Sequence, residues 1–248
     1  MDRQYYEEYY SLERHHWWFR VREKILRDQL RKVIPGNNPR ILNVGAATGR
    51  TSEMLSDFGD VVSLEYDEHC CDFLRAETDI DVIQGSVLDL PFEDQQFDVV
   101  CAFDVIEHVE DDWRAMQELQ RVCKYEGILC VTVPAFMQLW SHHDVVNHHY
   151  RRYRLPELLS LLLPESYELI KCTYFNTFLF PPILAFRTMS RMLAWRRNGK
   201  TAGSDFSIVP RRSLLNGLFY LIFSLERPWL FRGRFPFGVS LLVLCRNT

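Results

Sequence analysis

Between residues 40 and 133, short apolar runs alternate with longer stretches whose apolar positions recur at helical spacing. Arg40–Val44 (RILNV), Val61–Glu65 (VVSLE), Asp81–Gln84, Phe97–Phe103 (FDVVCAF) and Ile128–Val133 (ILCVTV) read as strands. Thr51–Phe58, Glu68–Ala76 and Asp111–Lys124 read as the helices between them. Most of these strands are apolar at successive positions, so both faces must be covered. The alternation predicts an α/β fold: a mostly parallel sheet with helices on both faces.

Further elements flank this core. Tyr5, Tyr9 and Leu12 recur at helical spacing, as do Tyr6 and Tyr10. A second helix is expected over Trp17–Val33, stopped by Pro35-Gly36. After the core, Leu155–Leu163 reads as a helix with Pro156 in its first turn, and Ser166–Phe175 and Phe237–Cys245 as strands. The expected organisation is an aromatic helical lid over 1–36, a core over 37–175, a helical insertion over 176–236, and the last strand of the core sheet over 237–248.

Composition narrows the picture. A chain of 248 residues, 47% hydrophobic, can bury a sizeable core and is too apolar to be disordered. A net charge of −4 argues against a nucleic-acid partner. That total hides an asymmetry, since residues 176–236 hold ten basic and two acidic side chains, a net of +8, leaving −12 on the rest. The first ten residues carry three acids and no apolar core of a leader, and no run reaches the roughly 18 apolar residues of a spanning helix. The seven cysteines include no Cys-x-x-Cys pair, and four lie in apolar runs. Buried reduced thiols and a cytoplasmic location are expected.

Ile41-Leu42-Asn43-Val44-Gly45-Ala46-Ala47-Thr48-Gly49 joins an apolar strand to a helix through a glycine turn. The dinucleotide fingerprint Gly-x-Gly-x-x-Gly is not met: the spacing is Gly-x-x-x-Gly, with Ala47 at the middle position. A nicotinamide site is disfavoured, and a bare turn is the alternative. Glu65 ends the next strand about twenty residues on, where an acid can take ribose hydroxyls.

With Gln84-Gly85-Ser86-Val87-Leu88-Asp89-Leu90-Pro91-Phe92, Phe97-Asp98-Val99-Val100 and Glu107-His108-Val109, these segments resemble the class I S-adenosylmethionine-dependent methyltransferases, small-molecule branch. The likeness is dense over residues 40–134 and looser through Trp140–Leu155 and 236–242. It implies a Rossmann-like fold with S-adenosylmethionine as cofactor. Gly45, Ala47 and Gly49 would line its methionine and ribose side, Glu65 would hold the ribose, and Tyr66 would lie near the adenine. Ser86 and Val87 would flank the adenine edge, and Phe103 would offer a carbonyl to the cofactor amine. Two positions depart from the family pattern: Asn43 stands in place of an acid that could help hold the ammonium, and Ser86 in place of an Asp.

Methyl transfer needs positioning and, for a hydroxyl acceptor, a base. His108, His143 and His148 are the candidates; His108 could equally pack beneath the cofactor. The Asp104-x-x-Glu107-His108 spacing looks like the metal-binding segment of small-RNA 2′-O-methyltransferases. It suggests a Mg²⁺ or Mn²⁺ site of Asp104, Glu107 and His108 with a later histidine, Asp104 and Glu107 lying on one face of a helical turn. Trp140, Arg151, Arg152 and Tyr153 fall in a donor-rich segment that could grip an acceptor phosphate or carboxylate, or be a solvated loop.

The insertion 176–236 is apolar almost all round over Leu214–Leu225 and flanked by arginines. It would contact a membrane surface peripherally, cap the substrate, or bind another subunit. The sequence therefore reads as an O-methyltransferase for a small or amphiphilic acceptor, lipid-linked or anionic, in the cytoplasm or at the inner face of the membrane. A silent cofactor-binding partner subunit and a nucleotide-cofactor oxidoreductase are the alternatives.

Overall fold

The computed structural model describes residues 3–34, 36, 38–162, 167–196, 209–210 and 212–248. Pro35, Leu163 and Ser166, and, of the charged side chains counted in 176–236, Arg197, Lys200, Asp205 and Arg211, lie outside the described residues.

Seven strands form one sheet: β1 (Arg40–Val44), β2 (Asp60–Glu65), β3 (Val82–Gln84), β4 (Phe97–Phe103), β5 (Cys123–Pro134), β6 (Tyr167–Phe175) and β7 (Ser240–Asn247). Their order is β3-β2-β1-β4-β5-β7-β6. The first five strands are parallel, and β7 runs antiparallel between β5 and β6. The helices are α1 (Arg3–His15), α2 (Trp17–Leu30), α3 (Arg50–Ser56), α4 (Glu68–Glu77), α5 (Asp112–Val122), α6 (His142–Val146), α7 (Leu155–Leu159), α8 (Phe180–Arg196), α9 (Leu214–Ser224) and α10 (Arg227–Arg232). The mostly parallel, two-sided α/β sheet expected from the hydrophobic pattern is the one observed.

Strand side chains point alternately to the two faces. Leu42, Val100, Leu129 and Val243 pack towards α5, whose Met116 and Leu119 are fully buried. Ile41, Val99, Cys130 and Leu244 face α2, α3, α9 and α10. The N-terminal segment is thus more than a lid, because Val21, Ile25, Leu26 and Leu30 of α2 are core residues. The insertion is tied to it in turn. The Asn216 Oδ1 accepts from the Trp17 backbone N–H at 2.8 Å, and Arg227 grips Asp28 through two nitrogens at 3.0 and 3.1 Å.

Several boundaries differ from the pattern reading. The helix expected to Lys124 stops at Val122, since Cys123 already pairs with Phe97 in the sheet. Asp111 is its N-cap, accepting from the Arg114 N–H at 2.8 Å. The helix expected to Leu163 ends at Leu159, and the last strand starts at Ser240 rather than Phe237. The segment before it is held instead by the Phe237 carbonyl, which accepts from the Thr177 hydroxyl at 2.7 Å.

Gly49 caps α3 with φ +91°, and a Cβ there would stand 2.5 Å from Ile80 Cδ1 and 2.9 Å from Leu74 Cδ2. Left-handed strain and overpacking act together at this position. Replacing it, as G49A, should cost about 2–4 kcal/mol, read as a lower denaturant midpoint at unchanged slope.

Candidate functional site

The loops following β1, β2, β4 and β5 open onto a cavity of about 1490 Å³ at the carboxyl ends of the parallel strands, the crevice where open α/β sheets bind ligands. Gly45 turns the chain out of β1 with φ +75°, and a Cβ there would lie 2.6 Å from Val105 Cγ2. The Gly45 and Ala46 N–H groups donate to the Leu64 carbonyl at 2.8 and 3.1 Å, fixing the loop against β2. The Glu65 carboxylate accepts from the backbone N–H of Ala47 at 2.8 Å, Tyr66 at 2.8 Å and Asp67 at 3.1 Å.

Of the expected cofactor residues, Gly45, Ala47, Glu65, Tyr66, Ser86, Val87 and Phe103 line this cavity. Asn43 and Gly49 do not. Asn43 is wholly buried and its Nδ2 donates to the hydroxyls of Thr51 and Ser52 at 2.9 and 2.8 Å, so it ties β1 to the start of α3. The neighbours awaiting a Cβ at Gly49 are core leucine and isoleucine, which makes it a turn residue behind the loop.

Two charged residues of the N-terminal helices also reach the cavity. Glu13 of α1 is buried and accepts a hydrogen bond from the Thr48 hydroxyl in the glycine loop. Burial pushes its carboxyl up to about 7, against the pull of Thr48, Arg14 and Arg22. Arg22 of α2 pairs with Asp104 and lies over the Phe103 ring at 5.5 Å, while its buried Nε has no partner among the described residues. Glu13 falls on the stripe Tyr6, Tyr9, Tyr10, at i+7, i+4 and i+3. An acid on an otherwise aromatic buried face is the signal that would have exposed it.

The cavity also holds a histidine cluster, from the segments that follow β4 and β5. His108, His143 and His148 all line the cavity, and His149 joins them as the hub. Its ring centroid lies 4.6 Å from that of His108 and 6.0 Å from that of His143. His149 Nδ1 stands 2.9 Å from the Asp144 carboxylate, which also accepts from Arg152 Nε at 2.7 Å. Burial opposes ionisation of Asp144, but its bonds to His149 and Arg152 hold its carboxyl well below the usual range. His108 is pushed down to about 4 by burial and by the neighbouring His149.

Glu107 is fully buried beside these rings, with both carboxylate oxygens unpartnered among the described residues. Burial and the nearby Asp104 raise its carboxyl well above the ordinary value. The ligand atoms of Glu107, His108 and His149 lie within 4.8 Å of one another. Asp104, expected to share a helical face with Glu107, is displaced from this group. It stands at φ +58° ahead of a short 3₁₀ turn, Ile106–His108, and its carboxylate pairs with Arg22.

The donor-rich segment is only partly in the site. Arg152 lines the cavity, but Trp140, Arg151 and Tyr153 lie outside its wall. Arg151 pairs with Asp112 at 2.6 Å, and the buried Tyr153 hydroxyl donates to the same carboxylate at 2.8 Å. Asp112 and Asp144 therefore neutralise the two arginines expected to grip an anion. Pro182, Ile183 and Phe186 of α8 and Leu215 and Phe219 of α9 give the cavity an apolar stretch of wall, with Arg187 of α8 beside them. Asn176 also lines the cavity, buried, with its amide unpartnered among the described residues.

Comparisons with known proteins agree with this geometry. Residues 42–131 match the family model described as a methyltransferase domain. A "Probable S-adenosylmethionine-dependent methyltransferase", Rv3030 of Mycobacterium tuberculosis, is 28% identical over 172 residues, covering 67% of this chain. The chain spans about three-fifths of that relative, 61% of its length. A demethylmenaquinone methyltransferase of Renibacterium salmoninarum is 38% identical over 101 residues, 40% of this chain and 42% of the relative. Among solved structures, a methyltransferase of Thermotoga maritima superposes with TM-score 0.61 at 16% identity, over 99% of this chain and 95% of its own. The [4+2]-cyclase SpnF gives 0.57 at 16%, over 90% and 79%. Similarity at that level speaks for the fold alone.

Proposed function

We propose, from the match of residues 42–131 to a methyltransferase domain and the likeness to relatives named S-adenosylmethionine-dependent methyltransferases, that this chain methylates a hydroxyl of a small, amphiphilic acceptor. The observation that carries the reading is what one cavity brings together: a cofactor-type loop with Glu65, a carboxylate-oriented imidazole, and apolar side chains of α8 and α9.

The residues present fit the cofactor. A carboxylate offers roughly four acceptor sites, and Glu65 has three filled by backbone N–H groups, leaving capacity for a ribose hydroxyl. The orphaned Arg22 Nε is a donor suited to an α-carboxylate, and Glu13 is an acid suited to the adjoining ammonium. Glu13 thereby supplies, from an N-terminal helix, the charge that position 43 lacks. When bound, the cofactor supplies an electrophilic methyl group on a sulfonium.

The chain's own part is to orient the acceptor, exclude water and accept its proton. Asp144 holds His149 through Nδ1, leaving Nε2 to take the acceptor's hydroxyl proton. Arg152 keeps that carboxylate in place. The apolar wall of α8 and α9 would shield the acceptor, with the Asn176 amide as its polar contact. Relatives named demethylmenaquinone methyltransferases support a small-molecule acceptor.

A second reading rests on Glu107. Two unpartnered carboxylate oxygens at zero exposure, close to two imidazoles that line the cavity, form a donor set that a divalent ion such as Mn²⁺ would satisfy. The Asp144–His149 contact is then the outer carboxylate that orients a ligating histidine.

Calorimetric titration with S-adenosylmethionine, S-adenosylhomocysteine and NAD tests the cofactor. Micromolar binding of the first two and none of NAD is expected. E65A should weaken it by about tenfold to a hundredfold, the loss of charge-assisted hydrogen bonds. Binding of neither adenosyl ligand would remove the enzyme reading and leave a silent partner subunit.

A further inference from the structure

Leu214, Leu218, Leu221 and Leu225 stand at i, i+4, i+7 and i+11, on one side of α9 and its C-cap. They are 94, 48, 63 and 67% exposed. The opposite side of the same helix holds Asn216 and Phe223 against α2. No charged residue occurs from Ser213 to Leu225. The apolar surface continues into α10, where Trp229 and Phe231 are exposed, and recurs on α8 at Phe186, Met189 and Met192. Trp229 reaches Phe235 at 6.4 Å and Phe235 reaches Phe178 at 5.7 Å, joining the end of α10 to the start of α8. A soluble monomer rarely leaves so large a contiguous apolar surface open to water.

Among the described residues, the exposed charges of α8 to α10 that lack an ion pair are all basic. Arg191, Arg212, Arg232 and Arg234 make no ion pair among the described residues, and Lys32 lies 3.5 Å over the Phe231 ring. Exposed leucines with an interfacial tryptophan and an arginine rim suit an anionic lipid surface. They suit a second copy of this chain poorly, since a two-fold interface would set one basic rim against the other. No helix among the described residues is long and apolar enough to cross a membrane, and at about 1.5 Å per residue α9 is short enough to lie flat.

The same two helices wall the cavity through Ile183, Phe186, Leu215 and Phe219. We propose that α8, α9 and α10 dock this chain on the surface of an anionic bilayer, so that the cavity receives an acceptor dissolved in the lipid. The docking stands on the exposed surface alone; the acceptor's origin rests on the methyl-transfer reading.

The test is co-sedimentation of the full chain with phosphatidylcholine vesicles, with and without one third phosphatidylglycerol. Partition into the anionic vesicles should exceed that into neutral ones by about tenfold or more and fall as salt rises. The double variant L214E/L221E, altered only at outward positions, should lose about tenfold or more of that partition, with S-adenosylhomocysteine binding unchanged. Absence of binding to anionic vesicles, or equal binding by the variant, would overturn the proposal. So would light scattering that finds, without lipid, a dimer that L214E/L221E dissolves, which would give the surface to a second copy. Failure of S-adenosylhomocysteine to bind a chain that still docks would remove methyl transfer and leave the docking intact.

Discussion

Replacing His149 with glutamine lowers turnover by about 10²–10⁴-fold, the range for loss of a positioned proton acceptor, while S-adenosylhomocysteine binds the variant as tightly as the native chain. The split follows from the geometry: His149 sits among the cavity's histidines and makes no hydrogen bond to the glycine loop, with its Nδ1 fixed 2.9 Å from Asp144. The measurement is release of S-adenosylhomocysteine with a long-chain alkylphenol as probe acceptor. His149 is a better target than Asp144, because removing that carboxylate would strand buried Arg152 and cost about 3–5 kcal/mol in stability. Treatment with EDTA separates the two readings of the cluster. Activity indifferent to chelator assigns His149 as the base; loss restored by Mn²⁺ assigns Glu107, His108 and His149 as metal ligands. Unaltered turnover by H149Q would exclude both.

E13Q weakens S-adenosylhomocysteine binding at pH 8 by about tenfold or more, the worth of a charged hydrogen-bonded partner, yet leaves 5′-methylthioadenosine, which has no amino-acid end, within about twofold. Stability gives an independent readout. Burial raises the Glu13 carboxyl from 4.5 to about 7, so the native chain binds more protons than the unfolded one between those pH values. Stability therefore falls as pH rises through that window, by about 3 kcal/mol from this group. E13Q carries no such proton, so it should be more stable than the native chain at pH 8 and lose that part of the slope. A variant with the same pH profile and the same ligand ratio would place Glu13 outside the cofactor site.

The sheet was legible because its strands are apolar on both faces and its turns are punctuated by glycine, signals that need only local sequence. Glu65 and the glycine loop were legible for the same reason, each closing an apolar strand, about twenty residues apart across α3. Glu13, Arg22 and His149 were not, because their meaning comes from contacts between distant segments. Glu13 meets Thr48 and Arg22 meets Asp104 only once α1 and α2 cross the carboxyl end of the sheet. The same crossing gives the Asp104 carboxylate to Arg22, while His149 stands with Glu107 and His108. Arg151 and Tyr153 read as substrate contacts because a run of donors shows no partner in one dimension. In the fold both bind Asp112. Asn43 read as a cofactor residue through its place in the loop motif, yet its amide turns inward to Thr51 and Ser52.

The place of β7 has a consequence for synthesis. The last eight-residue strand lies between β5 and β6, so β6 has no neighbour in the sheet until the ribosome has released residues 240–247. Asn216 and Arg227, which clasp α2 at Trp17 and Asp28, likewise emerge 199 residues after their partners. At about 5–20 residues per second, α2 waits some ten to forty seconds for its clasp. During that interval the core face of α2 is open to chaperones, and so is the apolar edge of β5 once it emerges; the last wall residues of the cavity, Val239 and Ser240, arrive with β7.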